Sequence, residues 1–355
     1  MRLDKLSKLI NDKECDALLL LNESNMHYAC GFSPSEGAVL ITKDGVGYHI
    51  VDSRYTETAE RYATHSGLKV IEIEKSFSDE VKKLCEKHNT KRLLFENESI
   101  SLMQYELYKE KLGCEFVKLD KALMLLRNIK DIEEIKLIKQ ANSIAEKSFL
   151  ELLNDVKVGK SEKELASLFD YYMAKNGSDG LSFDTILLTG EHTSMPHGVP
   201  SDRAIKEGDF VLFDFGATYK GYHSDMTRTV AVKSADDEMI RTYNLVLEAQ
   251  LAGIKALEDG VKCAEVYKAS YDVLARENMA QYFRHSLGHG VGLDIHEGYN
   301  ASPRSTDTYE VGNVTSIEPG VYIPDKFGIR IEDLLYISPR GRENLSNITK
   351  ELIIL

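Results

Sequence analysis

Two stretches of this chain carry acidic residues on either side of a predicted β-hairpin turn, and they constrain the fold more than any other feature. The first reads GDFVLFDFGATYKGYHSDMTRTVAV, in which two β-rich runs flank a turn containing Tyr219, Lys220 and Gly221. Folding about the middle of this turn places Asp214 directly opposite Asp225, with Cβ atoms about 5 Å apart. Two carboxylates that close repel each other unless a cation lies between them.

The second hairpin, SIEPGVYIPDKFGIRIEDLLYI, repeats the arrangement. Folding about Asp325, between the turn-favouring Pro324 and Gly328, places Glu318 opposite Glu332. A single acidic residue in an apolar strand is more often a hydrogen-bonded structural group than a metal ligand. Two opposed pairs in apolar surroundings, where an unpaired carboxylate is costly, instead predict the binding of divalent cations.

The histidines add one more ligand candidate. His285, His289 and His296 lie in the glycine-rich stretch HSLGHGVGLDIHE, where glycines allow close approach of the backbone. His197 lies in SMPHGVPSD, a loop bounded by Pro and Gly that follows a predicted strand over 185–189. One imidazole and four carboxylates can hold a pair of divalent ions side by side, and such a pair activates water at neutral pH.

Composition narrows the functional classes. The 355 residues are 43% hydrophobic and 28% charged, and the net charge of −13 argues against nucleic acid as a partner. The apolar run over 17–21 is too short for a signal peptide or a membrane span, so no membrane association is expected. Five scattered cysteines are typical of reduced thiols in the cytoplasm, where we therefore expect the protein.

The hydrophobic pattern predicts two domains. Residues 1–125 alternate between helical and strand patterns, which indicates an α/β domain. The predicted strands cover 17–21, 38–42, 46–51, 69–73 and 92–95, and the predicted helices cover 2–12, 53–63, 78–88 and 100–112. Residues 126–355 contain a helix–strand pattern twice, with one helix after the capping box Ser161–Glu164 and another near 263–277, which suggests an internal two-fold repeat.

Five blocks of this sequence, PHGVPSD, DFGATYKGYHSDMTRT, HSLGHGVGLDIHE, SIEPG and GIRIED, resemble in the same order the signature blocks of the pita-bread metallopeptidases. That superfamily includes methionine aminopeptidase, prolidase, aminopeptidase P and creatinase. The segments NMHYACGFSPSEGAVLITKDG and VDSRYTETAER resemble a creatinase-type N-terminal domain. The resemblance implies this α/β domain at 1–125 and an α+β pita-bread catalytic domain with pseudo-two-fold symmetry at 126–355.

The resemblance also implies a ligand set for two divalent metal ions. Asp214 and Glu332 would bind one ion, His289 and Glu318 the other, and Asp225 and Glu332 would bridge them. An oxygen-rich set with a single imidazole suits Mn²⁺ best, with Co²⁺, Zn²⁺ and Fe²⁺ as alternatives.

Further roles follow from the same resemblance. Glu318 would double as the proton shuttle for the attacking water, and His197 and His296 would hold the substrate and stabilise the oxyanion. His285 and Arg330 would shape the substrate side of the pocket. The planar guanidinium of Arg330 is suited to binding a carboxylate.

The N-terminal domain favours prolidase and aminopeptidase P over methionine aminopeptidase. The expected activity is therefore hydrolysis, by water activated between two metal ions, of the peptide bond preceding proline. The substrates would be Xaa-Pro dipeptides or the N-termini of longer Xaa-Pro peptides, and the sequence does not decide between them. The resemblance further implies a homodimer. Two alternatives stay open: a pita-bread binding protein with vestigial activity, and a non-peptidase pita-bread enzyme acting on a small molecule.

Overall fold

The computed structural model describes residues 2–32 and 34–355, which form two compact units. The first unit extends through Arg127, and the second runs from Asn128 to Leu355. The boundary predicted between residues 125 and 126 lies two residues before this division.

The first unit is an α/β domain built on a mixed sheet. Its strands are β1 (Ala17–Leu20), β2 (Ala38–Thr42), β3 (Gly47–Val51), β4 (Lys69–Glu72), β5 (Arg92–Phe95) and β6 (Glu115–Lys118). Its helices are α1 (Arg2–Asp12), α2 (Glu23–Cys30), α3 (Thr56–Ser66), α4 (Phe77–Lys87), α5 (Leu102–Leu112) and α6 (Ala122–Asn128). The strand order is β4-β3-β2-β1-β5-β6.

The central strands of this sheet are its most apolar ones. β1 and β2 are apolar and buried along their whole lengths, so both faces of the sheet centre are covered. β1 pairs antiparallel with β2 and parallel with β5, and Leu19, Leu40 and Leu93 meet in the core with Val81 of α4. The five predicted strands and four predicted helices are confirmed, whereas α2, β6 and α6 were not predicted.

The second unit combines four long helices with several antiparallel sheets. The helices are α7 (Ile132–Leu152), α8 (Glu162–Lys175), α9 (Asp237–Ala256) and α10 (Cys263–Arg276), with 3₁₀ turns at Gly190–Ser194 and Ala280–Tyr282. The strands before α9 are β7 (Gly180–Leu181), β8 (Ile186–Thr189), β9 (Phe210–Phe215), β10 (Ala217–Tyr219), β11 (Tyr222–His223) and β12 (Met226–Ala231). Those after α10 are β13 (Gly288–Gly290), β14 (Glu297–Ala301), β15 (Val314–Ile317), β16 (Gly320–Ile323), β17 (Phe327–Arg330), β18 (Asp333–Ser338) and β19 (Gly341–Asn344).

The second unit has two halves of similar design, each with a pair of helices on a sheet. In the first half, α7 and α8 pack on the sheet β12-β9-β8 through an aromatic cluster of Phe149, Phe169, Phe213 and Phe215. In the second half, α9 and α10 pack on the sheet β14-β13-β15-β18-β19. The predicted capping box is confirmed, because Ser161 caps α8 while the side chain of Glu164 reaches back to the cap.

Two further sequence features can be located in the structure. The five cysteines are all free thiols, four of them buried and Cys114 partly exposed. No described helix combines the length and the apolar character needed to cross a lipid bilayer.

Candidate metal centre

The first acidic hairpin is formed by β9 and β12, which are joined through the shorter strands β10 and β11. Tyr219 pairs with Tyr222, so the turn consists of Lys220 and Gly221. Both turn residues have positive φ, 47° for Lys220 and 78° for Gly221. A two-residue turn of this kind matches the twist of the flanking strands, and glycine adopts the second position without strain.

This turn sets a register that differs from the predicted one. Asp214 pairs with Thr227, not with Asp225. The predicted direct opposition of the two aspartates is therefore wrong by two residues, because the turn is shorter and lies further along the chain than the midpoint between them. Both aspartates nevertheless line the same cavity.

The second acidic hairpin has the predicted register. The pairing of β15 with β18 and that of β16 with β17 continue the same register on either side of Glu318 and Glu332. The two glutamates are thus directly opposed, as predicted. The turn is centred on Asp325, whose φ is 58°.

His289 reaches the acidic residues from the neighbouring strand β13. A Cβ on Gly288 would lie 1.9 Å from the carbonyl oxygen of Ser316, so only glycine permits this close approach of β13 to β15. The His289 Nδ1 donates to the backbone carbonyl of the next residue over 3.1 Å. Its Nε2 lies 3.3 Å from Asp225 Oδ2 and 3.6 Å from Glu318 Oε1. Since Nδ1 is engaged by the backbone, Nε2 is the His289 nitrogen that is available to a metal.

The chemistry of this cluster fits a divalent cation. Asp225, His289 and Glu332 each offer a ligand atom, and the three atoms lie within 4.8 Å of one another. Glu332 is 1% exposed, and its Oε2 accepts a hydrogen bond from Thr227 Oγ1 over 2.7 Å. Its Oε1 is buried without a hydrogen-bond partner among the described residues. A buried carboxylate oxygen with no donor is costly, whereas a cation at this position would satisfy it.

The electrostatics of the cluster lead to the same conclusion. Burial raises the pKa of Asp225 to about 6 and that of Glu318 to about 7. Burial, together with the charges of Asp225 and Glu318, also raises the pKa of Glu332. Burial lowers the pKa of His289, but the hydrogen bond with Asp225 and the charge of Glu318 outweigh this effect and raise the pKa to about 9. The cluster therefore holds protons where a bound cation would replace them.

Arg330 is buried beside this cluster with all three guanidinium nitrogens engaged. Its Nε donates to Thr227 Oγ1 over 3.0 Å, and its Nη1 donates to the Tyr322 hydroxyl over 2.6 Å. Its Nη2 lies 2.5 Å from Asp214 Oδ2. These contacts favour a role in holding Asp214. The predicted binding of a substrate carboxylate by Arg330 stays a prediction.

His285 lies beyond Tyr322 in the same network. The tyrosine hydroxyl donates to His285 Nε2 over 3.0 Å, while His285 Nδ1 donates to the Ser286 carbonyl over 2.7 Å. Burial and the charge of Arg330 lower the pKa of His285 to about 3. His285 is thus a neutral imidazole held in one tautomer.

The predicted site residues border one cavity of about 590 Å³. It brings together every residue predicted for the site, namely His197, Asp214, Asp225, His285, His289, His296, Glu318, Arg330 and Glu332. His197 is exposed on a loop at the cavity wall, and the ring of His296 lies 4.2 Å from that of His289, measured between centroids. Phe183, Ile186, Val199 and Ile295 add an apolar wall beside the polar groups.

A buried ion pair supports the loop that carries His296. Lys130 Nζ lies 2.7 Å from Glu297 Oε1, and the two side chains are 1% and 4% exposed. Glu297 Oε2 accepts the backbone N–H of Asp294 over 3.2 Å, which closes the loop on itself. A Cβ on Gly292 would lie 2.1 Å from the Glu297 carboxylate, so the glycine makes room for it. The ion pair thus fixes the segment between His289 and His296.

Sequence reasoning missed three supporting residues of this site: Thr227, Tyr322 and Lys130. Thr227 could have been found, since it follows Asp225 by two residues where β12 begins, and alternate residues of an extended chain point to the same side. Tyr322 could have been found from the second hairpin, where it lies two residues along the strand from the partner of Arg330. No sequence pattern identifies Lys130 as part of the site, because its partner Glu297 lies far away in the sequence.

Comparison with known proteins agrees with this geometry. Residues 136–339 match metallopeptidase family M24, and residues 2–129 match the creatinase/prolidase N-terminal domain. The chain is 35% identical to the Xaa-Pro dipeptidase of Pyrococcus furiosus, with 99% of each chain covered.

Two solved structures are similar over the whole chain. The Xaa-Pro dipeptidase from Bacillus anthracis has a TM-score of 0.95 and 37% identity, covering 100% of this chain and 99% of that one. The X-Pro aminopeptidase from Thermotoga maritima has a TM-score of 0.93 and 33% identity, covering 98% of this chain and 100% of that one. The predicted combination of a creatinase-type N-terminal domain with a metallopeptidase catalytic domain is confirmed. The chain belongs to metallopeptidase family M24.

Proposed function

We propose that this chain hydrolyses the peptide bond that precedes proline, in Xaa-Pro dipeptides or at the N-terminus of longer Xaa-Pro peptides. The observation that carries the proposal is the convergence of the four carboxylates predicted as metal ligands and of four imidazoles on a single cavity. The substrate class is supported by the similar proteins, which are named as an Xaa-Pro dipeptidase and an X-Pro aminopeptidase. The bond before proline is a tertiary amide of constrained shape, for which a dedicated pocket is needed.

The cofactor in this proposal is a pair of divalent ions, Mn²⁺ in the first place, because the ligand set is rich in oxygen and has one imidazole. The residues that would hold the ions are Asp214, Asp225, His289, Glu318 and Glu332. When bound, the ions polarise the scissile carbonyl and lower the pKa of water.

Glu318 moves the proton in this reaction. Its half-buried carboxylate lies against His289 and accepts the Ser316 hydroxyl over 3.3 Å, so it has few competing partners. It takes a proton from the attacking water and returns it to the nitrogen of proline as the peptide bond breaks. Removal of its charge should therefore stop turnover.

His197 and His296 stabilise the negative charge that develops on the carbonyl oxygen. Burial and the nearby charge of His289 lower the pKa of His296, so this imidazole is neutral at pH 7 and donates through one N–H. His197 donates from the loop over 190–200, which also borders the cavity. Donors fixed before the reaction need no reorganisation when the charge appears.

His285 and Arg330 act together at the substrate side. Arg330 fixes Asp214, and through Tyr322 it fixes the tautomer of His285. We assign Arg330 chiefly to this positioning role and His285 to the substrate-facing wall.

We further propose a homodimer in the cytoplasm, with the domain boundary between residues 125 and 126. The free, mostly buried cysteines support a reducing compartment. Sedimentation equilibrium of the purified chain tests the dimer, since a monomer at micromolar concentration would contradict it.

The experiment that tests the activity is turnover by the Mn²⁺-loaded chain of matched peptides: Xaa-Pro dipeptides, Xaa-Pro tripeptides and tetrapeptides, and Xaa-Ala controls. Asp225→Asn serves as the inactive control, which excludes contaminating peptidases. Cleavage of dipeptides alone identifies a dipeptidase, and cleavage of the longer peptides as well identifies an aminopeptidase. No cleavage of any Xaa-Pro peptide would refute the proposal.

A further inference from the structure

We propose that Glu162 is a positioning residue for catalysis, which fixes the loop that carries His197. The inference rests on the role proposed above for His197. Glu162 is the first residue of α8 and is fully buried, with an exposure of 0%. It lies outside the lining of the catalytic cavity.

The carboxylate of Glu162 binds both ends of the loop. Its Oε1 accepts the backbone N–H of Thr189 over 2.7 Å and the hydroxyl of the same residue over 3.1 Å. Its Oε2 accepts the backbone N–H of Ser201 over 2.8 Å and the Ser201 hydroxyl over 2.6 Å. Thr189 ends β8, and Ser201 follows the PHGVP segment, so one carboxylate closes the base of the loop over 190–200.

The same base is reinforced by Arg203. Its guanidinium donates to the side chains of Glu191 and Thr189 at the start of the loop, over 2.6 Å in each case. It also pairs with Asp209 over 2.7 Å, at the entry to β9. The loop is therefore anchored to the strand that carries Asp214.

The loop also packs on the second hairpin. The Thr193 hydroxyl accepts the backbone N–H of Gly328 over 2.7 Å, and a Cβ on Gly328 would lie 2.0 Å from the Thr193 carbonyl oxygen. Gly328 lies on β17, the strand that ends at Arg330. The base of the loop is thus tied to both acidic hairpins, whereas His197 itself is exposed and depends on that base for its position.

Glu162 differs from an ordinary acidic residue in the first turn of a helix. Glu164 already serves the capping function through the Ser161 backbone N–H, and it is exposed. Glu162 instead turns inward and meets four donors from the loop ends, with the His192 Nδ1 at 3.2 Å as a further neighbour. No Lys or Arg forms an ion pair with Glu162 in the described part of the chain, so these donors stabilise its charge.

The substitution Glu162→Gln tests this role. It replaces one carboxylate oxygen, which accepts two hydrogen bonds from the loop base, with an NH₂ group that cannot accept them. Glu164→Gln, two residues along the same helix, is the matched control. We expect Glu162→Gln to lower kcat about 10- to 100-fold, because a small displacement of a positioned catalytic group reduces the rate by about that factor. The number of metal ions bound per chain and the KM should stay nearly unchanged. Glu164→Gln should leave kcat within about two-fold. Ser201→Ala, which removes a single donor, should give a smaller loss in the same direction and serves if Glu162→Gln does not fold.

A double-mutant comparison with His197→Ala separates positioning from general damage. If Glu162 acts through His197, Glu162→Gln should cause no further loss of kcat in the His197→Ala background. If His197→Ala is impaired and the two losses multiply, the positioning role is refuted while the function proposed for His197 stands. If His197→Ala keeps full turnover, the role of His197 fails first, and the inference about Glu162 falls with it.

Discussion

Replacing Glu318 with glutamine should have opposite effects on the metal-free and the metal-loaded protein. In the metal-free protein, Glu318 is a half-buried ionisable group that lies close to other acidic residues, and desolvation raises its pKa from 4.5 to about 7. Its ionised form therefore destabilises the folded state. In the function proposed for the loaded protein, the same charge serves as a ligand and as the proton shuttle, so its removal should weaken metal binding and abolish hydrolysis.

The size of the effect follows from the pKa of Glu318. Each pKa unit corresponds to about 1.4 kcal/mol, so a rise from 4.5 to about 7 costs the metal-free folded protein about 3 kcal/mol once the group is ionised. Between these two values the folded state binds more protons than the unfolded state, so stability falls as the pH rises through this window. The amide has no such cost. The advantage of Glu318→Gln over the wild type should therefore grow by about 3 kcal/mol from about pH 4.5 to about pH 9.

The assay is thermal or urea unfolding of the chelator-treated proteins across that pH range. For a unit of this size, about 3 kcal/mol corresponds to roughly 6–12 °C in Tm at the alkaline end. Glu310→Gln, an exposed substitution in the same unit, controls for the general effect of losing a charge. A metal-free Glu318→Gln variant with a pH dependence of stability equal to that of the wild type would refute the reasoning.

Three further predictions concern metal binding and the buried arginines. Loading the wild type with Mn²⁺ at about 100 times its Kd should stabilise it by about 2.7 kcal/mol per site and raise Tm by at least about 5 °C, and a Tm indifferent to chelator would contradict the metal centre. Arg330→Met should lower kcat and metal retention more than it raises KM, because all three guanidinium nitrogens bind protein groups; a change confined to KM in steady-state kinetics would show that Arg330 contacts substrate instead. Arg228→Met should cost about 3 kcal/mol in urea unfolding, because it leaves Asp333 without one of its buried cationic partners, at 2.8 Å; a loss below about 1 kcal/mol would disprove that estimate.

The sequence predicts which residues line the cavity better than it predicts the strand register that brings them together. The register of the second hairpin follows from its turn residues and the spacing of its glutamates. In the first hairpin, the spacing of the aspartates conflicts with the turn chemistry. The Lys220–Gly221 pair forms a two-residue turn in which both residues have positive φ. This turn sets the register, so Asp214 lies opposite Thr227 and not opposite Asp225.

The supporting contacts of the site could not be predicted in the same way. Glu162 meets the ends of a loop whose closure depends on tertiary packing, and neither its position in α8 nor its charge marks it as different from Glu164. From the sequence, the guanidinium of Arg330 is suited to binding a substrate carboxylate. The structure shows that its nitrogens already bind Thr227, Tyr322 and Asp214. Periodicity indicates which residues face inward, but it does not indicate which groups already satisfy one another.

The ion pair between Lys130 and Glu297 sets a limit on how the catalytic unit can be isolated. Lys130 lies only three residues after Arg127, and its backbone N–H also bonds to the Gly312 carbonyl within the same unit. A fragment beginning at Lys136, where the family match starts, would lack this cation and would remove the Lys130 ion pair from the buried carboxylate of Glu297, next to His296. Such a loss costs about 3–5 kcal/mol, a large share of the stability of a typical domain. In protein engineering terms, the autonomous module must begin at or before Lys130, ahead of the residues that the catalytic family match covers.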